Sequence, residues 1–435
     1  MSIASTMKDT AASFARNIWA SHGLPLSLLD RLHLSEHPDP TVNSHFKLGT
    51  AAQTSIGLSA LAASYFHQLR TGESQDVSVD ARHATLEFSA EKYYLVDGKL
   101  HENALFDELA GMCPTKDGFV RLHTNFPHHK QGILDILRCP PTRPAVEAAL
   151  STWPALSFEQ EALRRGMCVA ALRPFDALEM FPPGRPANDD DAAPVRITKI
   201  GEAPRREVGS AGEGTFALAL EGIRVLDLTR VLAGPVCGRT LAAHGADVLW
   251  ITSPDLPSLP FLDADTSRGK RTTQLDLNTS PGRATLRALA EDADVFLQAY
   301  RPGGLAARGF GPEDVANMRP GIVYASLSAY PEDSLWKDVR GFDSLVQTLS
   351  GFNVAEAQAY AAHVRESEGD ATRLPPFRAL PMQALDHAAG SKYGFLTGRD
   401  YSQHEFSESY LSSCWTCKNG NASGGHIGAH YAYPK

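Results

Sequence analysis

From Gly222 onward the sequence alternates between apolar strand-like runs and helical segments, and this alternation limits the folds that the chain can adopt. The apolar runs are IRVLDL, ADVLWI, TTQLDL, DVFLQAY and GIVYASLSAY. Helical segments of about 10–15 residues separate most of them, as in βαβ units. Near-continuous apolar strands are typical of parallel sheets that helices cover on both faces. The sequence therefore predicts a doubly wound α/β domain over residues 222–330.

Composition narrows the class of protein. The chain has 435 residues, of which 43% are hydrophobic, which is enough for two or three domains with buried cores. Its net charge of -9 argues against a nucleic-acid or anionic-membrane binder. No apolar run reaches the roughly 18 residues of a membrane-spanning helix. Six cysteines in so long a chain do not suggest a disulfide framework, so we expect a reducing, cytoplasmic location.

Changes in composition and hydrophobic pattern along the chain predict its domain organisation. Residues 1–182 mix helical patterns with short strand-like runs and form a second, smaller α+β portion. Residues 183–215 are rich in Pro, Gly, Asp and Ala and are typical of a linker. Residues 216–390 contain the α/β domain. Residues 391–435 are poor in Leu, Ile and Val, which favours a flexible tail without a core of its own.

Three loops in the α/β region are candidates for ligand binding. TRVLAGP leads into a helix N-terminus, where backbone N–H groups attract anions, although an ordinary βα turn is the alternative. SRGKR places three cations beside one glycine, which fits either a phosphate-binding loop or a solvated basic turn. QAYRPGG adds an aromatic ring and a guanidinium for stacking against a flat ring. The candidate binding residues are Ala233, Gly234, Arg268, Lys270, Arg271, Tyr300 and Arg301.

Taken in order, these loops resemble the class III CoA-transferases of the CaiB/BaiF type, the family of formyl-CoA transferase and the carnitine CoA-transferases. GIRVLDLTRVLAGPVCGRTLAAHGADVLWI is similar to the family's opening strand-helix-strand, SRGKRTTQLDL to its NRGK-strand motif, and QAYRPGG to its ENFRPG loop. GIVYASLSAY and GFDSLVQTLSG resemble its next two markers. The resemblance covers about 222–354 and resumes at LPMQALDHAAG.

The resemblance implies a function and a catalytic residue. It implies a Rossmann-like domain that binds CoA, a homodimer, and transfer of CoA from an acyl-CoA to a small carboxylic acid, with no permanently bound cofactor. The nucleophile of the family matches Asp386 in ALPMQALDHAAG. Its carboxylate would attack the thioester to give an acyl–aspartyl anhydride, and an aspartyl-CoA thioester would then accept the incoming acid. Without the family resemblance, the local sequence predicts that Asp386 is a helix N-cap.

Three departures from the family leave an alternative open. The residues expected to grip CoA phosphates after the second strand are Thr252 and Ser253, and Ala299 replaces the asparagine of the ENF motif. After Gly390 the family's long apolar helix is replaced by SKYGFLTGRDYSQHEF. The alternative is therefore a catalytically inactive CoA-transferase-like binding or dimerisation partner.

The N-terminal portion compensates in part for the missing elements. Residues 49–88 resemble the family segment that follows the catalytic aspartate, including its RTG-x-x-Q-x-V-x-V pattern, but carry no acid in the aspartate's place. The N-terminal portion thus resembles the family's back half. We expect 46–180 to pack against 222–390.

Three further interpretations concern histidines and cysteines. Acyl-CoA racemases resemble this family but carry Gly-His-Asp where this chain has Gly341-Phe342-Asp343, which disfavours racemisation unless His363 substitutes. The pattern Cys414, Cys417, His426, His430 has only eight residues between its pairs, too few for a zinc finger, and no metal site is expected. RLHTNFPHH groups His123, His128 and His129, which we assign to a surface loop or a pocket lining.

Overall fold

The fold was analysed in a computed structural model. The structure describes residues 10–42, 44–100, 107–179, 195–204, 216–332 and 334–359. Asp386, His363, the cysteine–histidine pattern at 414–430 and the predicted tail lie outside the described residues, as does most of the predicted linker.

Strands and helices are distributed over both the N-terminal part and the α/β region. The strands are β1 Leu32–Leu34, β2 Val77–Val79, β3 Leu95–Val96, β4 Lys99–Leu100, β5 Gly111–Pro114, β6 Phe119–Leu122, β7 Val169–Ala171, β8 Arg224–Leu228, β9 Asp247–Thr252, β10 Arg271–Gln274, β11 Val295–Gln298 and β12 Val323–Ser326. The α-helices are α1 Ala11–Ser21, α2 Leu48–Thr71, α3 Ala81–Glu87, α4 Pro127–Leu137, α5 Arg143–Leu150, α6 Ala155–Arg164, α7 Phe175–Glu179, α8 Ala233–Ala243, α9 Pro260–Thr266, α10 Ser280–Ala290, α11 Pro312–Met318 and α12 Asp343–Leu349.

A five-stranded parallel sheet is the centre of the α/β region. Its strand order is β10-β9-β8-β11-β12, and every neighbouring pair is parallel. β8 lies in the middle, where Val225 is in register with Val248 on one side and Val295 on the other. The predicted α/β architecture with a parallel sheet is confirmed.

Helices cover both faces of this sheet because its strands are apolar on both sides. On one face Val225 and Leu297 pack with Cys237 of α8 and Ala63 of α2. On the other face the next residues along the strands, such as Phe296, pack with side chains of α10 and α11. Successive side chains of a strand point to opposite faces, so both layers draw on the same apolar runs.

The N-terminal part contains small sheets and several helices. β5, β6 and β7 form a three-stranded antiparallel sheet, and α4, α5 and α6 pack on it around a core that includes Ile133 and Phe158. The long helix α2 packs against α1, β1 and β2. This part is α+β in composition, whereas its boundary at 182 stays a prediction.

Side chains connect the N-terminal part directly to the α/β region. Arg239 of α8 is buried and forms ion pairs with Glu87 of α3 and with Asp265. The guanidinium of Arg70 donates a hydrogen bond of 2.8 Å to the carbonyl oxygen of Ala219. These contacts place residues of 46–179 against residues of 216–359.

Within the described ranges, no helix combines the length and the apolar character that crossing a lipid bilayer would require.

Candidate active site

A cavity of about 790 Å³ lies at the carboxyl ends of the parallel strands. The loops that follow β8, β9, β11 and β12 line it, and the N-terminal part supplies one wall through residues of 123–129. Strand order reverses between β8 and β11, because the chain runs outward to β10 and then returns to the other side of β8. In open α/β sheets ligands bind in the crevice at such a point.

The loop after β8 has unusual backbone geometry. Val231 has a φ of 72°, a left-handed conformation that is rare for a β-branched residue, and it lines the cavity. Helix α8 then begins at Ala233 without a side-chain cap on its first N–H groups. A Cβ at Gly234 would lie 2.6 Å from the Cβ of Thr229 and 3.0 Å from that of Ala299, so only glycine fits where α8 meets the sheet.

Four arginines on the cavity wall hydrogen-bond neutral groups rather than carboxylates. Arg308 donates to Gly304 O and Asn278 Oδ1, each at 2.9 Å. Arg301 Nη1 donates to Asp338 O at 3.1 Å, Arg230 donates to a backbone carbonyl, and Arg340 to Gly166 O. Among the described residues none of the four has a carboxylate within 4.0 Å. These four guanidinium groups are therefore not ion-paired within the described part of the chain.

The structure separates the predicted binding residues into two groups. Ala233, Gly234, Tyr300 and Arg301 line the cavity together. Arg268, Lys270 and Arg271 are absent from its wall and form ion pairs instead. Arg268 contacts Asp265 at 2.8 Å, and Arg271 at the surface pairs with Asp247.

Lys270 is the most deeply buried of these cations. Its Nζ lies 2.8 Å from Asp227 Oδ2 and 2.8 Å from Pro235 O, and neither charged side chain is exposed to solvent. Burial raises the pKa of Asp227 and lowers the pKa of Lys270, while the attraction between the two charges opposes both shifts. Lys270 thus ties β8, α8 and β10 together, and its predicted contact with CoA stays a prediction.

The wall from the N-terminal part consists of histidines and phenylalanines. The ring of His123, just after β6, stacks on Phe342 with centroids 3.9 Å apart and planes 12° apart. His128 and His129 lie in the first turn of α4, where Phe126 contacts both rings. The reading of RLHTNFPHH as a pocket lining is confirmed, because all three histidines line the cavity.

Sequence reasoning missed Arg230, Arg308 and Arg340. Arg230 lies in the candidate loop TRVLAGP, whereas Arg308 and Arg340 follow β11 and β12 outside the three candidate loops. Position after a parallel strand was the available signal for all three. The three cations in one short run favoured the SRGKR loop as the phosphate-binding site instead.

No group of three or more His, Cys, Asp or Glu side chains suited to a metal ion occurs within the described ranges. The predicted nucleophile Asp386 is outside those ranges, so the structure describes the cavity but not the aspartate.

Comparison with known proteins identifies the segment that builds this cavity. Residues 220–372 match the model of CoA-transferase family III. The expected family resemblance is confirmed. The family III segment begins just before β8 and runs past α12, so it includes the parallel sheet and every cavity loop. The wall formed by residues 123–129, which we call the histidine wall, lies outside the segment.

Curated relatives show the same partial coverage. The succinate–glutarate CoA-transferase of Agrobacterium fabrum is 35% identical over 151 residues, which is 31% of this chain and 38% of that protein. The formyl-CoA:oxalate CoA-transferase of Escherichia coli is 30% identical over 144 residues, 30% of this chain and 35% of the relative. The mouse alpha-methylacyl-CoA racemase is 35% identical over 134 residues, 31% and 34% respectively. The chain spans less than half the length of these relatives.

Two solved structures match part of the chain. The hypothetical protein Rv3272 of Mycobacterium tuberculosis is 31% identical, with 36% of this chain and 54% of that chain covered at a TM-score of 0.28. A CaiB/BaiF family protein from Brucella suis is 26% identical, with 34% and 50% covered at a TM-score of 0.29.

Proposed function

We propose that this protein is a class III CoA-transferase, which moves CoA from an acyl-CoA thioester to a carboxylic acid. The observation that carries the proposal is the cavity wall on which Arg230, Arg301, Arg308 and Arg340 hydrogen-bond only neutral groups of the described chain. CoA is phosphorylated, and guanidinium groups are well suited to phosphate because they offer several donors in a fixed plane.

The position of the cavity supports a Rossmann-like mode of binding. The parallel strand order places the crevice between the loops after β8 and β11, and the uncapped N-terminus of α8 opens onto it. Phosphate groups are stabilised at such helix ends by exposed N–H groups. We assign the phosphates to Arg308, Arg230 and the α8 N-terminus, and Tyr300 to the neighbouring wall.

The chemistry proposed for Asp386 follows from the family resemblance. Its carboxylate attacks the thioester carbonyl, the C–S bond breaks, and an acyl–aspartyl anhydride and CoA thiolate form. The thiolate attacks the aspartyl carbonyl and releases the donor acid, which leaves an aspartyl-CoA thioester. The acceptor carboxylate then attacks that thioester and breaks its C–S bond, which gives an anhydride of Asp386 with the acceptor acid and free CoA thiolate. The thiolate attacks the acceptor's acyl carbon, which forms the new acyl-CoA and releases the Asp386 carboxylate. The homodimer implied by the resemblance belongs to the same proposal.

Isothermal titration with CoA tests the binding half of the proposal. Arg308→Gln and Arg230→Gln each remove a charged donor from the cavity, so we expect about 10- to 100-fold weaker binding, equivalent to about 1.5–3 kcal/mol. Arg271→Gln is the matched control, because that arginine is ion-paired to Asp247 at the surface. Equal affinities in all variants contradict the assignment of the cavity.

Mass spectrometry after incubation with an acyl-CoA and hydroxylamine tests the catalytic half. An activated aspartyl group is converted to a hydroxamate, so we expect a modified peptide containing Asp386, absent from Asp386→Asn. Unmodified Asp386 in a protein that still binds CoA favours the inactive binding partner instead.

An acyl-CoA racemase is the second candidate, because His123 places an imidazole flat on Phe342, next to Asp343. Burial lowers the pKa of His123 to about 4, which makes it a weak base and favours the transferase. Exchange of the α-proton of a 2-methylacyl-CoA in D₂O, lost in His123→Gln, supports the racemase.

A further inference from the structure

Two of the four cavity arginines have no ligand in the transfer reaction as proposed so far. The CoA phosphates are assigned to Arg308, Arg230 and the N-terminus of α8, which leaves Arg301 and Arg340. Both line the cavity, and neither is ion-paired among the described residues. In the described part of the chain, five arginines and lysines line the cavity against three aspartates, so a bound anion is favoured over a cation.

Arg301 and Arg340 lie at the end of the cavity that the N-terminal part closes. Arg340 donates a hydrogen bond to the carbonyl oxygen of Gly166, and Arg301 Nη1 donates to Asp338 O at 3.1 Å, two residues before Arg340. Burial raises the pKa of the Cys168 thiol to about 12, and the charges of Arg340 and Arg301 both oppose that rise. Since both charges act on one buried thiol, the two guanidinium groups lie at the same end of the cavity.

The other two arginines lie elsewhere along the wall. Arg308 is held by Asn278 Oδ1 at 2.9 Å, on the side of β10. Burial raises the pKa of Tyr300, and the charges of Arg230 and Arg308 oppose that rise, so both are near this ring. The guanidinium of Arg230 also lies 5.8 Å from the centroid of the Phe126 ring, which places it between the two ends. The cavity therefore offers cations along its length rather than in one cluster.

The chemistry of the transfer indicates which anion suits the end of the cavity with Arg301 and Arg340. The carboxylate that accepts CoA is charged only in the free acid, because it becomes a neutral acyl group in the anhydride and in the thioester. A second carboxylate on the same acid stays charged throughout. Guanidinium groups bind carboxylates through charge-assisted and often bidentate hydrogen bonds. Two guanidinium groups can therefore hold a second carboxylate at every stage of the reaction.

We propose that Arg301 and Arg340 bind the non-reacting carboxylate of a dicarboxylic acid, which makes dicarboxylic acids the preferred acceptors. This inference rests on the proposed function, because it names the class of acid that the transferase uses. Arg340 is held by Gly166 O of the N-terminal part, so this subsite is complete only when the N-terminal part is folded against the α/β region.

Isothermal titration of the CoA-loaded protein with matched acids tests the inference. Succinate and butyrate have the same number of carbons and differ in the second carboxylate, and glutarate and pentanoate form a longer matched pair. We expect each dicarboxylate to bind about 10-fold or more tightly than its monocarboxylate partner. Arg301→Gln and Arg340→Gln should each remove most of this preference, while the affinities for butyrate and for CoA change less than about twofold.

Two further variants control for charge and for folding. Arg340→Lys keeps the positive charge, so its preference for the dicarboxylate should lie between those of the wild type and Arg340→Gln. Arg224→Gln is the matched control, because Arg224 begins β8 at the opposite edge of the sheet and pairs with Asp292. The side chain of Arg301 is exposed, so Arg301→Gln tests the inference even if Arg340→Gln does not fold.

The outcomes separate this inference from the function on which it rests. Equal affinities within both acid pairs, in a protein that binds CoA, overturn the inference alone. A loss of CoA affinity in Arg301→Gln and Arg340→Gln as large as that in Arg308→Gln assigns these arginines to a CoA phosphate and also overturns it. A wild-type protein that does not bind CoA overturns the proposed function and the inference with it.

Discussion

Two sets of basic residues in the family III segment have opposite surroundings. In the SRGKR loop, Arg268, Lys270 and Arg271 each contact an aspartate. On the cavity wall, the hydrogen bonds of Arg230 and Arg308 go to carbonyl and amide oxygens. The loop is the denser run of cations in the sequence, yet its charges are neutralised within the protein. A cation is available to a ligand only when the fold leaves it without a carboxylate.

The largest expected effect tests whether Lys270 is a structural cation. Lys270→Met leaves Asp227 as a buried charge without its partner, so we expect a loss of about 3–5 kcal/mol in the free energy of unfolding. Chemical denaturation measures this loss. Lys199→Met is the control, because the Lys199–Glu202 pair is exposed.

The double variant Asp227→Asn, Lys270→Met removes both charges of the buried pair. With both charges removed, the loss of stability should be smaller than in Lys270→Met alone. If Lys270→Met has nearly wild-type stability but binds CoA much more weakly, the structural role of Lys270 is contradicted. Lys270 is then a ligand-binding residue.

The next largest effect concerns the pH dependence of stability at the histidine wall. The folded-state pKa of His123, about 4, lies below the usual 6.5, so the unfolded chain takes up the proton first. Stability is therefore lost as the pH falls from about 6.5 to about 4, by up to about 3 kcal/mol for this one group. Thermal unfolding at pH 7 and pH 4.5 should show a smaller difference for His123→Gln than for the wild type. An unchanged difference shows that His123 does not remain neutral in the fold.

The smallest effect is expected at the surface of the SRGKR loop. Arg271 and Asp247 are both substantially exposed, so Arg271→Gln should change the free energy of unfolding by about 0–1 kcal/mol. Arg308→Gln should be equally mild in stability and differ only in CoA affinity. Denaturation of the two variants side by side checks this, and a large loss in either one contradicts the assignment.

The parallel sheet could be predicted because its signal is local. Near-continuous apolar strands such as 223–228 need helices on both faces, and Val225 and Leu226 do pack into opposite layers. The loops after β8 and β11 could be placed at the cavity for the same reason, since parallel strands end at one edge.

The electrostatics of the site could not be read from the sequence. Asp227 and Lys270 are 43 residues apart, and Asp247 and Arg271 are 24 apart, so their pairing depends on the strand order β10-β9-β8. The histidine wall depends on a still longer separation between His123 and Phe342. Asp386 and the predicted domain boundaries stay predictions.

The stack of His123 on Phe342 has a thermodynamic consequence. It joins segments more than 200 positions apart on the wall of one cavity, so a ligand that touches both segments binds only when both are folded. At a concentration about 100 times its Kd, such a ligand adds about 2.7 kcal/mol to the unfolding free energy of both parts at once. CoA should therefore act as a reversible cross-link, making the N-terminal part and the parallel sheet unfold in a single cooperative transition.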